Sequence, residues 1–426
     1  MFSVSCETKR TKIIVFSVLV IFFVAGVMAA VCFGDELLLG SFEKFDNDDV
    51  KYLRSAQTLL DTGSLTYNNP EQPTVFIMPG IVFLLTPFVA IFGMEGAVFP
   101  VRVFFVILQT FNLYMVFLTA RKVFNTKTAV VTLFLSLFYL PNIFVAATIL
   151  TETPTYTCFL LVVYLVMWGT ERNKKIYFVS GGIVWGISVM FRPTMLALPA
   201  VIFVYWLLKK IKFSKMVIYG LCAIIPLVCI MTPWVVRNYN TFGKFIPLTL
   251  SSGNPKLQGT FMWYSEESLN ESMNAIDVSD IDYGDTEISN DEAQNKIAAR
   301  VFEYNIKNNT FQYIFWYTIG KTGENFVIPH VWHPMFYGSI VPSFVYHGAI
   351  MLLFIGAIFW LKKAKRYTPE IIFLMIIVLL FNCMHLPYYC FSRYMYPIMC
   401  FILMTDAYVI CVLWEKYKEK KNISEK

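Results

Sequence analysis

Apolar stretches close to the length of a membrane span recur along most of this chain, and they limit its possible folds more than any other feature. A helix needs about 20 predominantly apolar residues to cross the hydrocarbon core of a bilayer. Of the 426 residues, 57% are hydrophobic and only 15% are charged, whereas a soluble domain averages about 25% charged residues. One water-soluble core cannot bury that excess, so the sequence predicts an all-α integral membrane protein.

The candidate transmembrane helices number about ten. They are 13–33, 98–119, 129–147, 154–169, 176–191, 195–208, 216–234, 340–361, 370–387 and 395–414. The first follows the basic cluster Lys9-Arg10-Thr11-Lys12, as the apolar region of a signal peptide would. A signal peptide has a shorter apolar region of about 7–15 residues and a cleavage site with small residues. Ala29-Ala30 leaves cleavage open, but the length of the stretch favours an uncleaved first helix.

Basic clusters lie between alternate candidate helices and at the two ends of the chain. They are Lys9/Arg10/Lys12, Arg121/Lys122/Lys127, Arg172/Lys174/Lys175, Lys209/Lys210/Lys212/Lys215, Lys362/Lys363/Lys365/Arg366 and Lys416/Lys418/Lys420/Lys421/Lys426. All of them fall on one side of the membrane if a further apolar stretch, 75–93, does not cross. Basic loops tend to stay in the cytoplasm, so we expect 75–93 to lie in the interface or to re-enter, with both termini cytoplasmic. The net charge of +6 is then a topology signal rather than a nucleic-acid patch.

This topology divides the chain into three parts. Residues 1–234 form a transmembrane core that includes a first outer loop, 34–97, residues 235–339 form a large outer loop, and residues 340–426 add the last transmembrane helices and a basic cytoplasmic tail. In the first loop, the spacing of Tyr52, Ala56, Leu59 and Leu60 before Gly63 predicts a juxtamembrane amphipathic helix.

The large outer loop is polar at its centre and aromatic at its end. A helical pattern runs from Glu292 to Asn305, and the aromatic residues of 311–337 are typical of a membrane interface.

The cysteines and histidines do not indicate a disulfide framework or a metal site. No CxxC spacing occurs among the nine cysteines, which are Cys6, Cys32, Cys158, Cys222, Cys229, Cys383, Cys390, Cys400 and Cys411. The four histidines are scattered as His330, His333, His347 and His385. His330-Val331-Trp332-His333 is a weak metal signal that suits the interface better. No cofactor is therefore identified, and a divalent cation stays open.

Two acidic positions are candidates for chemistry. Asp48 and Asp49 open the predicted juxtamembrane helix, where the helix dipole keeps a carboxylate ionised, as a general base requires. Glu152 follows the third candidate helix, where a carboxylate is costly unless it is used or paired. The alternatives are solvated acids beside the membrane for the first pair and a first-turn acid of the next helix for Glu152.

Three arginines lie at the outer ends of candidate helices, where basic residues are disfavoured. They are Arg192, Arg237 and Arg393. Arginine grips phosphate through bidentate hydrogen bonds, although snorkelling or pairing with Asp48, Asp49 or Glu152 would also explain these positions. Acids and cations on one membrane face are what transfer from a lipid phosphate would need.

A series of short motifs resembles the family-39-like glycosyltransferases of the GT-C superfamily, which include protein O-mannosyltransferases and bacterial aminoarabinose transferases. The motifs, in chain order, are Asp48-Asp49-Val50-Lys51-Tyr52 with Ala56 and Gly63, Met78-Pro79-Gly80, Phe92-Gly93, Arg102, Thr151-Glu152-Thr153-Pro154, Phe191-Arg192-Pro193, Pro233-Trp234, Arg237-Asn238, Phe242-Gly243 and Arg393-Tyr394 with Pro397. Each motif is weak alone, but their order and spacing are fairly specific.

The resemblance implies an inverting transfer from a polyprenyl- or dolichyl-phosphate sugar to a saccharide, lipid or protein acceptor. It implies that Asp48 is the base with Asp49 beside it, and that Glu152 is the second acidic position. The implied donor phosphate-binding residues are Lys51, Tyr52, Arg192, Arg237 and Arg393. Aminoarabinose transferases carry Glu-Lys-Pro in the first loop, whereas this chain reads Glu71-Gln72-Pro73, which argues against a lipid A acceptor.

Two other classes of function stay open. A transporter or flippase for a charged lipid would use the same residues, but it needs charges at the bilayer midplane, and only Asp406 lies well inside an apolar stretch. A non-catalytic envelope assembly protein would keep the fold without needing Asp48. The Lys- and Asn-rich polar segments favour a multi-pass protein of a bacterial plasma membrane.

Overall fold

The computed structural model of the protein describes residues 2–5 and 7–424. Cys6 and Lys426, members of the cysteine set and of the last basic cluster, lie outside the described residues. The described residues form helices and no strand, so the predicted all-α class is confirmed. The α-helices are α1 (Lys9–Cys32), α2 (Asp48–Thr62), α3 (Gly80–Phe92), α4 (Val98–Val123), α5 (Thr126–Leu137), α6 (Pro141–Ala147), α7 (Glu152–Arg172), α8 (Lys175–Phe191), α9 (Leu198–Leu208), α10 (Phe213–Phe242), α11 (Gly253–Gly259), α12 (Glu266–Ala275), α13 (Glu287–Asn308), α14 (Thr310–Phe315), α15 (Lys321–Phe326), α16 (Val341–Ala364), α17 (Pro369–His385), α18 (Ser392–Met395) and α19 (Met399–Ser424).

The helices account for every predicted span, and the chain is a multi-pass membrane protein. Six helices are long and apolar enough to cross a membrane, namely α1, α4, α7, α10, α16 and the continuous segment Ser392–Asn422. Helices α5 and α6 form a seventh candidate span with a bend of 61° between them. The remaining predicted spans are shorter apolar helices, so the count of about ten crossings stays a prediction.

The stretch 75–93 forms the short helix α3, which is packed against the end of α8. Its 13 residues reach about 20 Å at 1.5 Å per residue, less than the hydrocarbon thickness of about 30 Å. A Cβ atom at Gly80 would lie 2.5 Å from the carbonyl oxygen of Met190, so only glycine lets the two backbones approach this closely. This contact lies just before Arg192 in the chain.

Helix α2 confirms the predicted juxtamembrane amphipathic helix. It begins after Asn47, whose side chain accepts a hydrogen bond from the Asp48 N–H, and it ends at Gly63 in the left-handed conformation with φ 72°. Val50 and Leu53 bury one face against the core. Asp48 and Asp49 are therefore held in the first turn of a well-capped helix.

The large outer loop folds into helices α11 to α15 with small cores of their own. The predicted helix from Glu292 to Asn305 is confirmed within α13, which begins at a capping box formed by Thr286 and Ser289. The prediction of an interfacial aromatic segment is wrong for Tyr313 and Trp316, which are fully buried against Met262 because the loop packs on itself.

Candidate active site

Four of the predicted site residues converge at one end of the helix bundle. Arg393 of α18 lies at the centre, where its Nη1 donates to Asp48 Oδ2 over 2.9 Å and its Nη2 to Glu152 Oε2 over 3.3 Å, while its Nε also donates to Glu152. Arg192, which follows α8, donates to Glu152 as well, and its Nε donates to Thr151 Oγ1 over 2.9 Å. Pairing with acids, one of the alternatives for these arginines, is thus what the structure shows.

The members of this cluster differ in how far they reach solvent. The side chain of Glu152 has no exposed surface, those of Arg192 and Arg393 are 14% and 17% exposed, and that of Asp48 is 33% exposed. A buried carboxylate is stable only when cations compensate it, and Glu152 has two. Asp48 is therefore the acid that an external molecule can reach, and Glu152 holds the cations in place.

Tyr67 is a site residue that no sequence motif indicated. Its hydroxyl donates to Asp48 Oδ1 over 2.5 Å, and its ring stacks on Phe76. Burial raises the pKa of Tyr67, so the hydroxyl keeps its proton and remains a donor. Tyr67 lies in a turn that has no periodic sequence pattern and no motif, so nothing in the sequence marked it as a site residue.

A cleft of about 570 Å³ opens beside the cluster. Its polar wall comprises Asp48, Tyr52, Thr151, Arg192 and Arg393, with Thr249 and Ser251 from the segment after α10. Its apolar wall includes Phe76, Met78 and Phe191. A cleft with guanidinium groups, a carboxylate and apolar surface suits a phosphorylated molecule that carries both a polar and an apolar part.

Asp49 points away from the cleft. Its carboxylate accepts hydrogen bonds from the backbone N–H groups of Leu39 (2.6 Å), Gly40 (3.1 Å) and Val50 (2.8 Å). Burial raises the pKa of Asp49, against the effect of these hydrogen bonds. The geometry favours an anchor that ties the start of α2 to the chain leaving α1, rather than a second base.

Lys51 and Arg237 also lie outside the cleft lining. Lys51 Nζ donates to Asn68 Oδ1 over 3.2 Å. Arg237 donates to the carbonyl oxygens of Thr74 (2.7 Å) and Leu65 (3.2 Å). Both residues stabilise the first outer loop through these hydrogen bonds. Their positions in the motifs implied phosphate binding and did not indicate these contacts.

His330 lies beside the acid cluster without forming a metal site. The side chain is buried, and neither ring nitrogen has a hydrogen-bond partner among the described residues. Burial lowers the pKa of His330 to about 3, so the imidazole is neutral. His333 contacts Glu36 instead, with 2.5 Å between Nε2 and Oε2. Within the described ranges, no three His, Cys, Asp or Glu side chains group as metal ligands would.

The chain is similar to known proteins in part of its sequence and in its fold. Residues 71–235 match the family model described as dolichyl-phosphate-mannose-protein mannosyltransferase. The apo oligosaccharyltransferase of Archaeoglobus fulgidus aligns at 13% identity over 96% of this chain and 52% of its own, with a TM-score of 0.56. The structure of that archaeal enzyme, AglB, with an inhibitory peptide and a dolichol-phosphate aligns at 15% identity over 98% and 52% of the two chains, with a TM-score of 0.55.

A third solved structure is less similar. ArnT from Cupriavidus metallidurans bound to undecaprenyl phosphate aligns at 15% identity over 94% of this chain and 78% of its own, but its TM-score is only 0.45. No curated protein matches the chain. The chain spans about half the length of the archaeal oligosaccharyltransferase, of which it covers 52%.

The chain is a multi-pass membrane protein whose fold resembles that of GT-C glycosyltransferases. The match to the family described as dolichyl-phosphate-mannose-protein mannosyltransferase covers residues 71–235, which is less than half of the chain. The resemblance that the motifs indicated is therefore confirmed.

Proposed function

We propose that the protein is an inverting glycosyltransferase that moves a sugar from a polyprenyl- or dolichyl-phosphate donor to an acceptor at the outer face of the membrane. The observation that carries this proposal is the cleft in which Asp48 faces Arg393 and Arg192. The matched family is described by its dolichyl-phosphate-mannose donor, and the archaeal enzyme of similar fold was solved with dolichol-phosphate, which supports a lipid-phosphate donor.

In the proposed reaction Asp48 takes the proton of an acceptor hydroxyl while the acceptor oxygen bonds to the anomeric carbon of the sugar. The bond from that carbon to the phosphate oxygen breaks on the opposite face, so the configuration inverts. The phosphate leaves with the bonding electrons, and its charge is stabilised by the guanidinium groups of Arg192 and Arg393. A phosphate is already a good leaving group, so the reaction needs no general acid.

The contacts of Arg393 suggest an order of binding. Glu152 holds its Nε and Nη2, whereas its Nη1 bonds to Asp48 over 2.9 Å. A donor phosphate that enters the cleft competes for Nη1, because a phosphate offers several charged oxygens. Asp48 then loses its guanidinium partner and becomes free to accept the acceptor proton.

A second cavity supports a lipid donor. It lies between α7, α8, α9 and α10, and its lining, which includes Val166, Trp185 and Pro199, is apolar. The Trp185 Nε1 donates to the carbonyl oxygen of Met195, in the turn after Arg192, over 2.7 Å. An apolar cavity among helices that end near a phosphate-binding arginine suits a polyprenyl chain.

The test is donor consumption by the purified protein with radiolabelled polyprenyl-phosphate sugars. We expect Asp48→Asn to abolish sugar transfer while it retains donor binding and thermal stability. Asp61→Asn is the matched control, because this exposed aspartate lies at the other end of α2. Tyr67→Phe, which removes only the hydrogen bond to Asp48, is expected to lower kcat by about tenfold with little change in KM.

Each outcome decides between hypotheses. Equal consumption by wild type and Asp48→Asn would exclude Asp48 as the base and direct attention to Glu152. Absence of consumption with every sugar tested would favour the transporter or assembly alternatives.

One observation favours a transporter. Asp406 of α19 is fully buried, and neither carboxylate oxygen has a hydrogen-bond partner among the described residues. Intramembrane carboxylates often lie on transport pathways. Movement of a labelled lipid-linked sugar across proteoliposomes, lost in Asp406→Asn but kept in Asp48→Asn, would support that class instead.

A further inference from the structure

A second polar cleft lies at the same end of the bundle and shares no lining residue with the first. Its volume is about 1040 Å³, and it lies between the end of α1, the turn Asp35–Leu37 and the start of α4. Arg102 of α4 lines it, together with three acids, Asp35, Glu36 and Glu95. The proposed transfer reaction uses none of these residues.

Arg102 is a buried cation that forms no ion pair with a carboxylate of the described residues. The residue is only 3% exposed, and its Nε and Nη2 have no hydrogen-bond partner among the described residues. Asp49 is on the same side of the fold, but its oxygens accept backbone N–H groups instead. The charges of Asp49 and Asp35 offset part of the cost of burying this guanidinium, but neither carboxylate forms a hydrogen bond with it among the described residues, so it still has donors to offer an anion.

Gly34 leaves room beside this guanidinium. A Cβ atom at Gly34 would lie 3.0 Å from Arg102 Nη1, so any other side chain at this position would crowd that nitrogen. The approach to Arg102 from the turn after α1 therefore stays free.

The rim of the cleft carries the opposite charge. Asp35, Glu36 and Glu95 are all exposed, and Glu36 already contacts His333. These carboxylates would repel a simple anion that approaches Arg102. Arg102 would in turn repel a simple cation that binds to the carboxylates. A ligand with a phosphate and an ammonium group a few bonds apart satisfies both.

The flanks of the cleft indicate where that ligand comes from. Val31 of α1 and Phe99 of α4 line it and are 62% and 48% exposed, and both belong to helices long and apolar enough to span a membrane. Exposed apolar side chains on spanning helices face lipid. The cleft is thus open to the bilayer at headgroup level.

We propose that this cleft binds the headgroup of a zwitterionic phospholipid of the phosphoethanolamine type. The phosphate accepts hydrogen bonds from Arg102, and the ammonium group lies between Asp35 and Glu95. This proposal does not depend on glycosyltransferase activity.

The test measures lipid retention by the full-length protein. The purified protein is reconstituted with equal amounts of phosphatidylethanolamine and phosphatidylglycerol, and retained lipids are counted by native mass spectrometry. Wild type is expected to retain phosphatidylethanolamine preferentially, and Arg102→Met to retain it at least about tenfold less, the effect of losing a charge-assisted hydrogen bond. The double variant Asp35→Asn/Glu95→Gln is expected to prefer phosphatidylglycerol, because it keeps the phosphate partner and loses the ammonium partners.

The double variant keeps the test decisive if Arg102→Met fails to fold, because Asp35 and Glu95 are exposed. Asp61→Asn/Glu71→Gln is the matched control, since it removes the same charge from exposed residues outside the cleft. An unchanged lipid preference in Asp35→Asn/Glu95→Gln would overturn the proposal. Displacement of the lipid by an equal concentration of soluble O-phosphoethanolamine would also overturn it, because the ligand would then be a soluble one.

Discussion

The carboxylate of Glu152 has no exposed surface, and Arg192 and Arg393 both donate to it. Removal of a charge from water costs several kcal/mol, which close cations with good hydrogen bonds can offset. Without this carboxylate the two guanidinium groups would repel each other and leave the rim of the cleft. Glu152 is also the first residue of α7. It is therefore both the first-turn acid that the sequence offered as an alternative and the acid that pairs with the two arginines.

We predict that Glu152→Gln destabilises the protein by about 3 kcal/mol and weakens donor binding, because breaking a buried ion pair leaves uncompensated charge. Thermal unfolding in detergent and donor binding measure the two effects. Thr151→Val is the control, since it removes only the neutral hydrogen bond from Arg192 and should cost about 1 kcal/mol. Equal stability of the two variants would contradict the assigned role of Glu152.

Residues of the large outer loop hold the segment that leads into α18, the helix that carries Arg393. The segment before α18 is held by Lys321 of α15, whose Nζ donates to the carbonyl oxygens of Leu386 (2.6 Å) and Tyr388 (3.1 Å). The Tyr389 N–H donates to the Pro255 carbonyl oxygen over 2.7 Å. The large outer loop thereby positions one of the two cleft cations.

Lys321 gives this contact a dependence on pH. Burial lowers the pKa of Lys321 from 10.5 to about 7. Between those values the unfolded chain holds a proton on this lysine that the folded chain lacks, so this residue makes stability rise with pH, by at most about 1.4 kcal/mol per unit. The dependence levels off below the folded pKa, where both states are protonated.

We therefore predict that the melting temperature of wild type rises relative to that of Lys321→Met as the pH is raised from 7 to 9. Thermal unfolding of both proteins in detergent measures this difference. Lys296→Met, which removes an exposed lysine of α13, should show no such trend relative to wild type. Parallel curves for wild type and Lys321→Met would show that Lys321 does not titrate in this range.

At the scale of the whole molecule, both outer loops meet at the end of the bundle that carries the cleft. Glu287 of α13 accepts hydrogen bonds from Thr74 (2.6 Å) and Asn68 (3.0 Å) of the first loop. The basic clusters predict which end of the bundle faces the cytoplasm, and this prediction places the cleft at the outer face.

We predict that a cysteine at position 282 of the large outer loop reacts with a membrane-impermeant maleimide in intact cells, whereas one at position 420 of the tail reacts only after lysis. The measurement uses a variant without the native cysteines, because several of these are exposed. Labelling of position 420 in intact cells would reverse the orientation and place the cleft in the cytoplasm.

The local patterns of the sequence were enough to find the apolar helices, α2 and the central part of α13, but not the other helices of the large outer loop. Apolar length located every predicted span, and Gly63 ended α2 where the pattern indicated. The bend of 61° between α5 and α6 was missed, although Pro141, the first residue of α6, marks the start of a new helix within the apolar stretch. Tyr313 and Trp316 were misassigned to the interface, since aromatic composition does not distinguish a lipid-facing ring from one buried in a folded loop.

The sequence by itself determined the class of protein, the apolar helices with α2 and the central part of α13, and the motif positions that held Asp48, Glu152, Arg192 and Arg393. Those properties depend on hydrophobicity and residue type along short stretches, which are local. Only the tertiary structure decided that Asp48 meets Arg393 and Tyr67, that Asp49 turns away, and that Nε and Nη2 of Arg102 have no hydrogen-bond partner among the described residues. Contacts between residues far apart in the chain depend on how the helices pack and on which charged groups must pair when they are buried. No local sequence pattern contains that information.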